Sequence, residues 1–61
     1  MNRAMEITRV NHTATRVRRA AQVACSGMER NHRSNCDLYR FTDGSSIAVS
    51  GLKVTTQEAS A

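Results

Sequence analysis

Alternating apolar and polar residues predict β-structure in the C-terminal half of the chain. Residues 36–41 and 46–54 flank a short polar segment that contains Asp43-Gly44. Asp-Gly between two alternating runs is a strong signal for a β-hairpin. A three-residue loop with Gly44 in the left-handed conformation pairs Tyr39 with Ile47. The hairpin then has four apolar side chains on one face, namely Tyr39, Phe41, Ile47 and Val49.

A two-residue turn at Asp43-Gly44 is the alternative, and it gives a different register. It would pair Phe41 with Ser46 and would place Leu38 and Arg40 on the same face as Ile47. Since a shift of one residue moves every side chain to the other face, the register that separates apolar from polar residues is preferred. Gly51 then predicts a bulge, after which Leu52 and Val54 return to the core side.

The N-terminal half is predicted to contain one strand and one helix. In residues 4–10, Met5 and Ile7 alternate with polar residues, which is typical of a strand. Residues 13–28 favour a helix capped by Asn11 or Thr13, with Gly27 at its fraying end. Its apolar stripe consists of Ala14, Val17, Ala21, Ala24, Cys25 and Met28, and Arg16 and Arg19 lie on the opposite face.

The remaining segments are polar and complete the predicted fold. Residues 29–35 contain no apolar side chain and are expected to form a loop, and residues 55–61 are expected to form a disordered tail. Residues 1–54 are thus predicted to be a single small α+β domain of β-α-β-β order. One helix would pack on a three-stranded, mostly antiparallel sheet. A thin core and exposed sheet edges would favour a homodimer.

Charge changes this picture, because the chain is basic and its cations are unevenly placed. The net charge is +4 with a sequence pI near 10.1, and eight of the nine cations are arginine. Between Arg9 and Arg33 there are six arginines and a single acid, Glu29. Arginine is well suited to binding phosphate and carboxylate groups, although a compositional bias would also raise its number. The candidate residues for binding an anionic partner are Arg16, Arg18, Arg19, Arg30 and Arg33.

Metal binding and catalysis find little support in the sequence. His12, Cys25, His32 and Cys36 lack the closely spaced cysteine pair of structural zinc sites. A Cys–His nucleophile pair has no recognisable flanking signature and too little chain around it to form a pocket. We therefore expect no metal, no cofactor and no enzymatic activity. A Cys25–Cys36 disulfide would require export, whereas the first residues do not resemble a signal peptide.

Two functions remain open at this stage. The first is a non-enzymatic, regulatory binding module whose Arg-rich helix face engages an anionic partner, most simply nucleic acid. The second is a compact protein-binding inhibitor or adaptor that docks on an acidic or RNA-containing assembly. Small proteins of mobile elements that inhibit host defence complexes have this size and make-up, which is an analogy of class only. No apolar run is long enough for a membrane span, so a cytoplasmic protein without membrane contact is expected.

Overall fold

Two helices precede a four-stranded antiparallel sheet in the computed structural model, which describes residues 2–58. The strands follow one another in the order β1-β2-β3-β4. The α+β class is confirmed, but the predicted β-α-β-β order with three strands is wrong. The elements are α1 (Arg3–Val10), α2 (Ala14–Ala24), β1 (Gly27–Asn31), β2 (Cys36–Arg40), β3 (Ser46–Ser50) and β4 (Lys53–Gln57).

Helix α1 occupies the segment that was predicted to be the first strand. The side-chain oxygen of Asn2 accepts the Met5 N–H at 2.8 Å and caps the helix. Ala4 and Ile7 are buried, whereas Met5 is 39% exposed. The buried residues therefore recur at a spacing of three, as on one face of a helix. In so short a segment, Met5 and Ile7 fitted the period of a strand by coincidence.

Helix α2 begins as the sequence predicts and ends earlier. The Thr13 hydroxyl oxygen accepts the Arg16 N–H at 3.2 Å, which confirms Thr13 as the cap. Ala14, Val17 and Ala21 are buried, as predicted for the apolar stripe, but Cys25 is half-buried, and Ala24 and Met28 are exposed. The helix ends at Ala24 instead of residue 28, because the backbone becomes extended at Cys25 and the chain enters β1.

The β2–β3 hairpin has the predicted register. Tyr39 pairs with Ile47, and the Phe41 N–H donates to the Ser45 carbonyl oxygen at 3.0 Å. Gly44 has a φ of 88°, the left-handed conformation that the three-residue loop requires. Tyr39, Phe41, Ile47 and Val49 are all buried. They form the hydrophobic core of the described residues together with five residues of the two helices. These five are Ala4, Ile7, Ala14, Val17 and Ala21.

Strand β1 includes the first three residues of the predicted polar loop, residues 29–31. All five of its residues are exposed, so its extended conformation is stabilised by pairing with β2 and not by burial. Residues 32–35 form the turn into β2. The Asn31 side-chain oxygen accepts the N–H groups of Arg33 and Ser34 at 3.0 and 3.3 Å, and Asn35 has a φ of 54°. Asn31 and Asn35 therefore supply the turn chemistry.

A tight turn at Gly51 takes the place of the predicted bulge. Ser50 pairs with Lys53, which leaves a two-residue turn, and Gly51 has a φ of 60°. Leu52 is 91% exposed and does not return to the core. Val54 is partly buried and packs against the core, as predicted. Residues 55–57 of the predicted tail belong to β4. The last three residues of that tail lie outside the described residues.

Candidate anion-binding surface

Contacts along α2 fix its direction relative to the sheet. Arg18, in the first half of α2, contacts Asp37, the second residue of β2. Beyond the other end of the helix, the Ser26 N–H donates to the carbonyl oxygen of Arg40, the last residue of β2, at 2.7 Å. Helix α2 therefore runs in the direction of β2. Its N-terminus lies at the end of the sheet that carries the turns at residues 32–35 and 51–52.

Helix α1 runs in the reverse direction. Its first turn is held at the opposite end of the sheet, since the Arg3 N–H donates to Asp43 Oδ2 in the β2–β3 turn at 2.6 Å. The Ala4 N–H donates to the Ser45 hydroxyl of the same turn at 3.3 Å. The C-terminus of α1 and the connection to α2 consequently lie at the same end as the turns at residues 32–35 and 51–52.

Four cations lie at that end, which we call the basic end. They come from the last turn of α1, the first turn of α2, the β1–β2 turn and the start of β4. Within residues 2–58 none of them forms an ion pair, and neither does Arg19, which follows Arg16 on the exposed face of α2. The residues of the basic end are Arg9, Arg16, Arg33 and Lys53.

Apart from Glu29, which lines the same depression as Arg33, the acidic side chains of residues 2–58 lie away from the basic end or are buried. Glu6, in the first turn of α1, pairs with Arg3 at 3.9 Å, and Glu29 pairs with Arg40 at 3.3 Å. Asp43 is in the β2–β3 turn, at the opposite end of the sheet. Glu58 lies at that end too, because it follows Gln57, the last residue of β4, which pairs with Ser46. The molecule is therefore electrically polarised along its strands, with uncompensated positive charge at one end.

Asp37 separates the predicted arginines into two groups. Its side chain is 7% exposed and forms an ion pair with Arg18, whose side chain is 33% exposed. The Arg30 Nε lies 3.5 Å from Asp37 Oδ1, an oxygen that accepts no hydrogen bond within the described residues. Arg18 and Arg30 thus compensate a buried carboxylate, and Arg18 also attaches α2 to the sheet. Arg16, Arg19 and Arg33 remain available to a partner.

The same carboxylate affects its neighbour Tyr39. Burial of the Tyr39 phenol raises its pKa above the ordinary value of 10.0, and the negative charge of Asp37 raises it further. The nearby Arg18 guanidinium lowers the pKa and offsets part of this shift. Tyr39 therefore stays neutral through the physiological pH range and contributes to the core beneath α2.

The position of Arg16 is electrostatically unfavourable for the isolated helix. The first turn of α2 carries no acidic residue, and the N-terminus of a helix has a partial positive charge. A cation there costs a few tenths of a kcal/mol, which a bound anion would reverse. Arg9, in the last turn of α1, is by contrast placed favourably for its own helix.

An open depression of about 580 Å³ lies beside the β1–β2 turn. Its lining includes Arg30 and Arg33, the acidic Glu29, and Cys36 and Leu38 from β2. Two strongly exposed apolar residues also lie at the basic end, namely Val10 at 73% and Leu52 at 91% exposure. The surface thus combines positive charge with isolated apolar side chains.

The structure places part of this surface where the sequence did not predict it. Arg30 and Arg33 were expected beyond the C-terminus of α2, but β1 runs antiparallel to β2 and returns them toward the N-terminus of the helix. Arg9 and Lys53 were not predicted as candidates, because Arg9 was assigned to a strand and Lys53 lies in the less basic half. The direction of α1 and the pairing of the strands place Arg9 and Lys53 at the same end of the sheet as Arg16.

The candidate metal ligands are not gathered into a site. Within residues 2–58, no group of three or more His, Cys, Asp and Glu side chains is arranged to hold a metal ion. Cys25 and Cys36 are both free thiols.

Neither described helix is long and apolar enough to cross a membrane. Comparisons of the chain with protein-family models, curated proteins and solved structures find no match.

Proposed function

We propose that this protein is a small non-enzymatic module that binds nucleic acid through the basic end and the adjoining outer face of α2. One observation carries the proposal: four cations from different parts of the chain lie at one end of the fold without an acidic partner. The acidic residues of residues 2–58 are buried, paired with other arginines or at the opposite end. A polyanion is the partner that such a surface attracts most strongly. A regulatory role in the cytoplasm fits a module of this size.

The proposed contacts divide by exposure. Arg16, Arg19 and Arg33 contact phosphates, since their guanidinium groups have no acidic partner within residues 2–58. Arg9 and Lys53 extend the surface across the basic end. Arg18 and Arg30 mainly hold the frame together around Asp37, although Arg30 remains 57% exposed and can also contact a phosphate. Guanidinium groups suit this task because they form two parallel hydrogen bonds to phosphate oxygens.

A protein-binding inhibitor or adaptor is the second candidate, and strand β1 favours it. Every residue of this edge strand is exposed. An unprotected edge can add a strand from another protein through main-chain hydrogen bonds. The basic end would then contact an acidic or RNA-containing part of the same assembly. Proteins of mobile elements that inhibit host defence complexes are similar in size and make-up, which is an analogy of class only.

Titration of a fluorescently labelled DNA duplex at several salt concentrations tests the proposal. Each neutralised phosphate contributes about 0.9 to the slope of log affinity against log salt. Three to five contacts therefore predict a slope between about −2.7 and −4.5. A flat salt dependence would contradict binding through the basic end.

Capture of partners from the native host lysate, with and without nuclease, separates the two candidates. Nucleic-acid binding predicts that co-purifying proteins are lost after nuclease treatment, because they are held through the nucleic acid. One protein retained in a fixed ratio after treatment, together with no duplex binding, would favour the inhibitor or adaptor.

A further inference from the structure

Leu52 is the most exposed of the large apolar residues in the described part of the chain, at 91%. It occupies the second position of the two-residue turn between β3 and β4. Gly51, at the first position, has a φ of 60°. Leu52 does not have a positive φ, because Asn35 is the only described residue other than glycine that has one. The turn therefore has glycine only where a type II′ turn needs it, at the first position. Neither the turn nor the core explains a leucine at the second position.

The surroundings of Leu52 are those of the basic end. Lys53 follows it directly in the chain, and the turn at residues 32–35 with Arg33 lies at the same end of the sheet. Helix α1 packs on β3 and β4, which brings its exposed Val10 to this end as well. Leu52 is thus an apolar tip placed among cations that have no acidic partner within residues 2–58.

We propose that Leu52 is a wedge that enters the minor groove of duplex DNA and separates two stacked base pairs, an inference that rests on the proposed function. Proteins that bind the minor groove insert leucine and similar side chains between base steps, with cations contacting the adjacent phosphates. The groove is about 6 Å wide, and a two-residue turn presents a single side chain to it. Arg16, Arg33 and Lys53 then bind the phosphates on either side.

The wedge explains why charge and apolar exposure occur together. Unstacking a base step costs free energy, and the resulting bend brings more phosphates toward the protein. The cations of the basic end lie on several elements at the same end of the sheet as Leu52, so a bent duplex reaches more of them than a straight one. Charge complementarity supports duplex DNA as the occupant, because an apolar protein partner alone would leave these cations unpaired.

The test compares three forms of the full chain on one duplex. The duplex carries a fluorescent adenine analogue that brightens when it is unstacked, and a donor and an acceptor dye at its ends report bending. The forms are the wild type, Leu52→Ser and Val23→Ser. Val23 is a matched control, since it is 86% exposed but lies near the C-terminus of α2, away from the basic end. Circular dichroism shows that each variant is folded.

The wild type and Val23→Ser are expected to brighten the analogue and to bend the duplex. Leu52→Ser is expected to lose both signals. Because a straight duplex reaches fewer cations of the basic end, its salt slope should be shallower than that of the wild type but still clearly negative. Wild-type binding with a steep salt slope but no brightening would overturn the wedge and leave the proposed function standing. Absence of duplex binding by the wild type would instead overturn the proposed function, and the wedge with it.

Discussion

The backbone N–H of Arg3 donates to Oδ2 of Asp43 at 2.6 Å, which joins the first turn of α1 to the β2–β3 turn. The other carboxylate oxygen accepts from the Ser45 backbone N–H at 2.9 Å and from the Ser45 hydroxyl. One carboxylate thus organises the hairpin loop and satisfies a free N–H at the start of a helix. It also fixes which end of the sheet α1 starts from, and therefore where Arg9 lies.

Acid is expected to weaken this junction. The hydrogen bond from the Ser45 side chain, followed by those from the backbone of Arg3 and Ser45, lowers the pKa of Asp43 from 3.8 to about 2. Because the folded-state pKa is the lower one, the stabilisation is fully present above the unfolded value. It is lost as the pH falls from 3.8 through about 2.

Urea unfolding across that pH range measures the effect, and Asp43→Asn is the control. The amide can still accept the Arg3 N–H but takes up no proton in this range. Its free energy of unfolding should therefore depend less on pH than that of the wild type. Identical pH dependence for the two proteins would show that Asp43 does not act as described.

The ion pair between Arg18 and Asp37 is expected to be structural. Arg18→Met leaves the buried Asp37 with only Arg30 at 3.5 Å. We expect a loss of about 2 kcal/mol in unfolding free energy, less than the 3–5 kcal/mol typical of fully buried pairs, because Arg18 is partly exposed. Adding Asp37→Leu should restore much of the stability, since no charge is then left buried. If the double variant were less stable than Arg18→Met, this interpretation would be wrong.

Phe41 is expected to be essential to the core. Its side chain is 5% exposed and belongs to the buried face of the hairpin. Phe41→Ala should cost about 3–5 kcal/mol, a large part of the stability of so small a domain. Leu52→Ala is the matched control, because removing an exposed side chain usually changes stability by no more than about 0.5 kcal/mol. Equal melting temperatures for the two variants would show that Phe41 is not part of the core.

The β2–β3 hairpin and α2 were predictable because each has a strong local signal. Asp43-Gly44 determines the turn, and alternating residues on both sides determine the register. Helix α2 has a threonine cap and three small apolar residues at helical spacing. Strand β1 has no comparable signal, since it is exposed at all five residues and its conformation depends on pairing with β2. Exposed edge strands of this kind leave no hydrophobic period in the sequence.

The candidate surface was predictable only in part, for the same reason. Arg16 and Arg19 share a helix face by simple periodicity, which the sequence shows directly. The approach of Arg33 to the N-terminus of α2 depends on β1 being a strand. Likewise, Arg9 reaches the basic end only because residues 3–10 form a helix that starts at the opposite end. The positions of Arg9 and Arg33 thus depend on α1 and β1, the two elements that were not predicted from the sequence.

We expect the location of the positive charge, and not its total, to determine binding of the duplex. Arg16→Glu/Arg19→Glu tests it against Arg3→Glu/Arg40→Glu, which changes the net charge by the same amount at the opposite end. All four side chains are exposed, so both variants should fold. Arg16→Glu should even suit the first turn of α2, where a negative charge is favourable.

Duplex affinity of both variants, measured over a range of salt concentrations, is the most direct test. We expect Arg16→Glu/Arg19→Glu to bind at least about tenfold more weakly and to have a salt slope shallower by about 1.8, for two lost phosphate contacts. Arg3→Glu/Arg40→Glu should retain most of the affinity and the wild-type slope. Equal losses in the two variants, or wild-type affinity in Arg16→Glu/Arg19→Glu, would contradict the account.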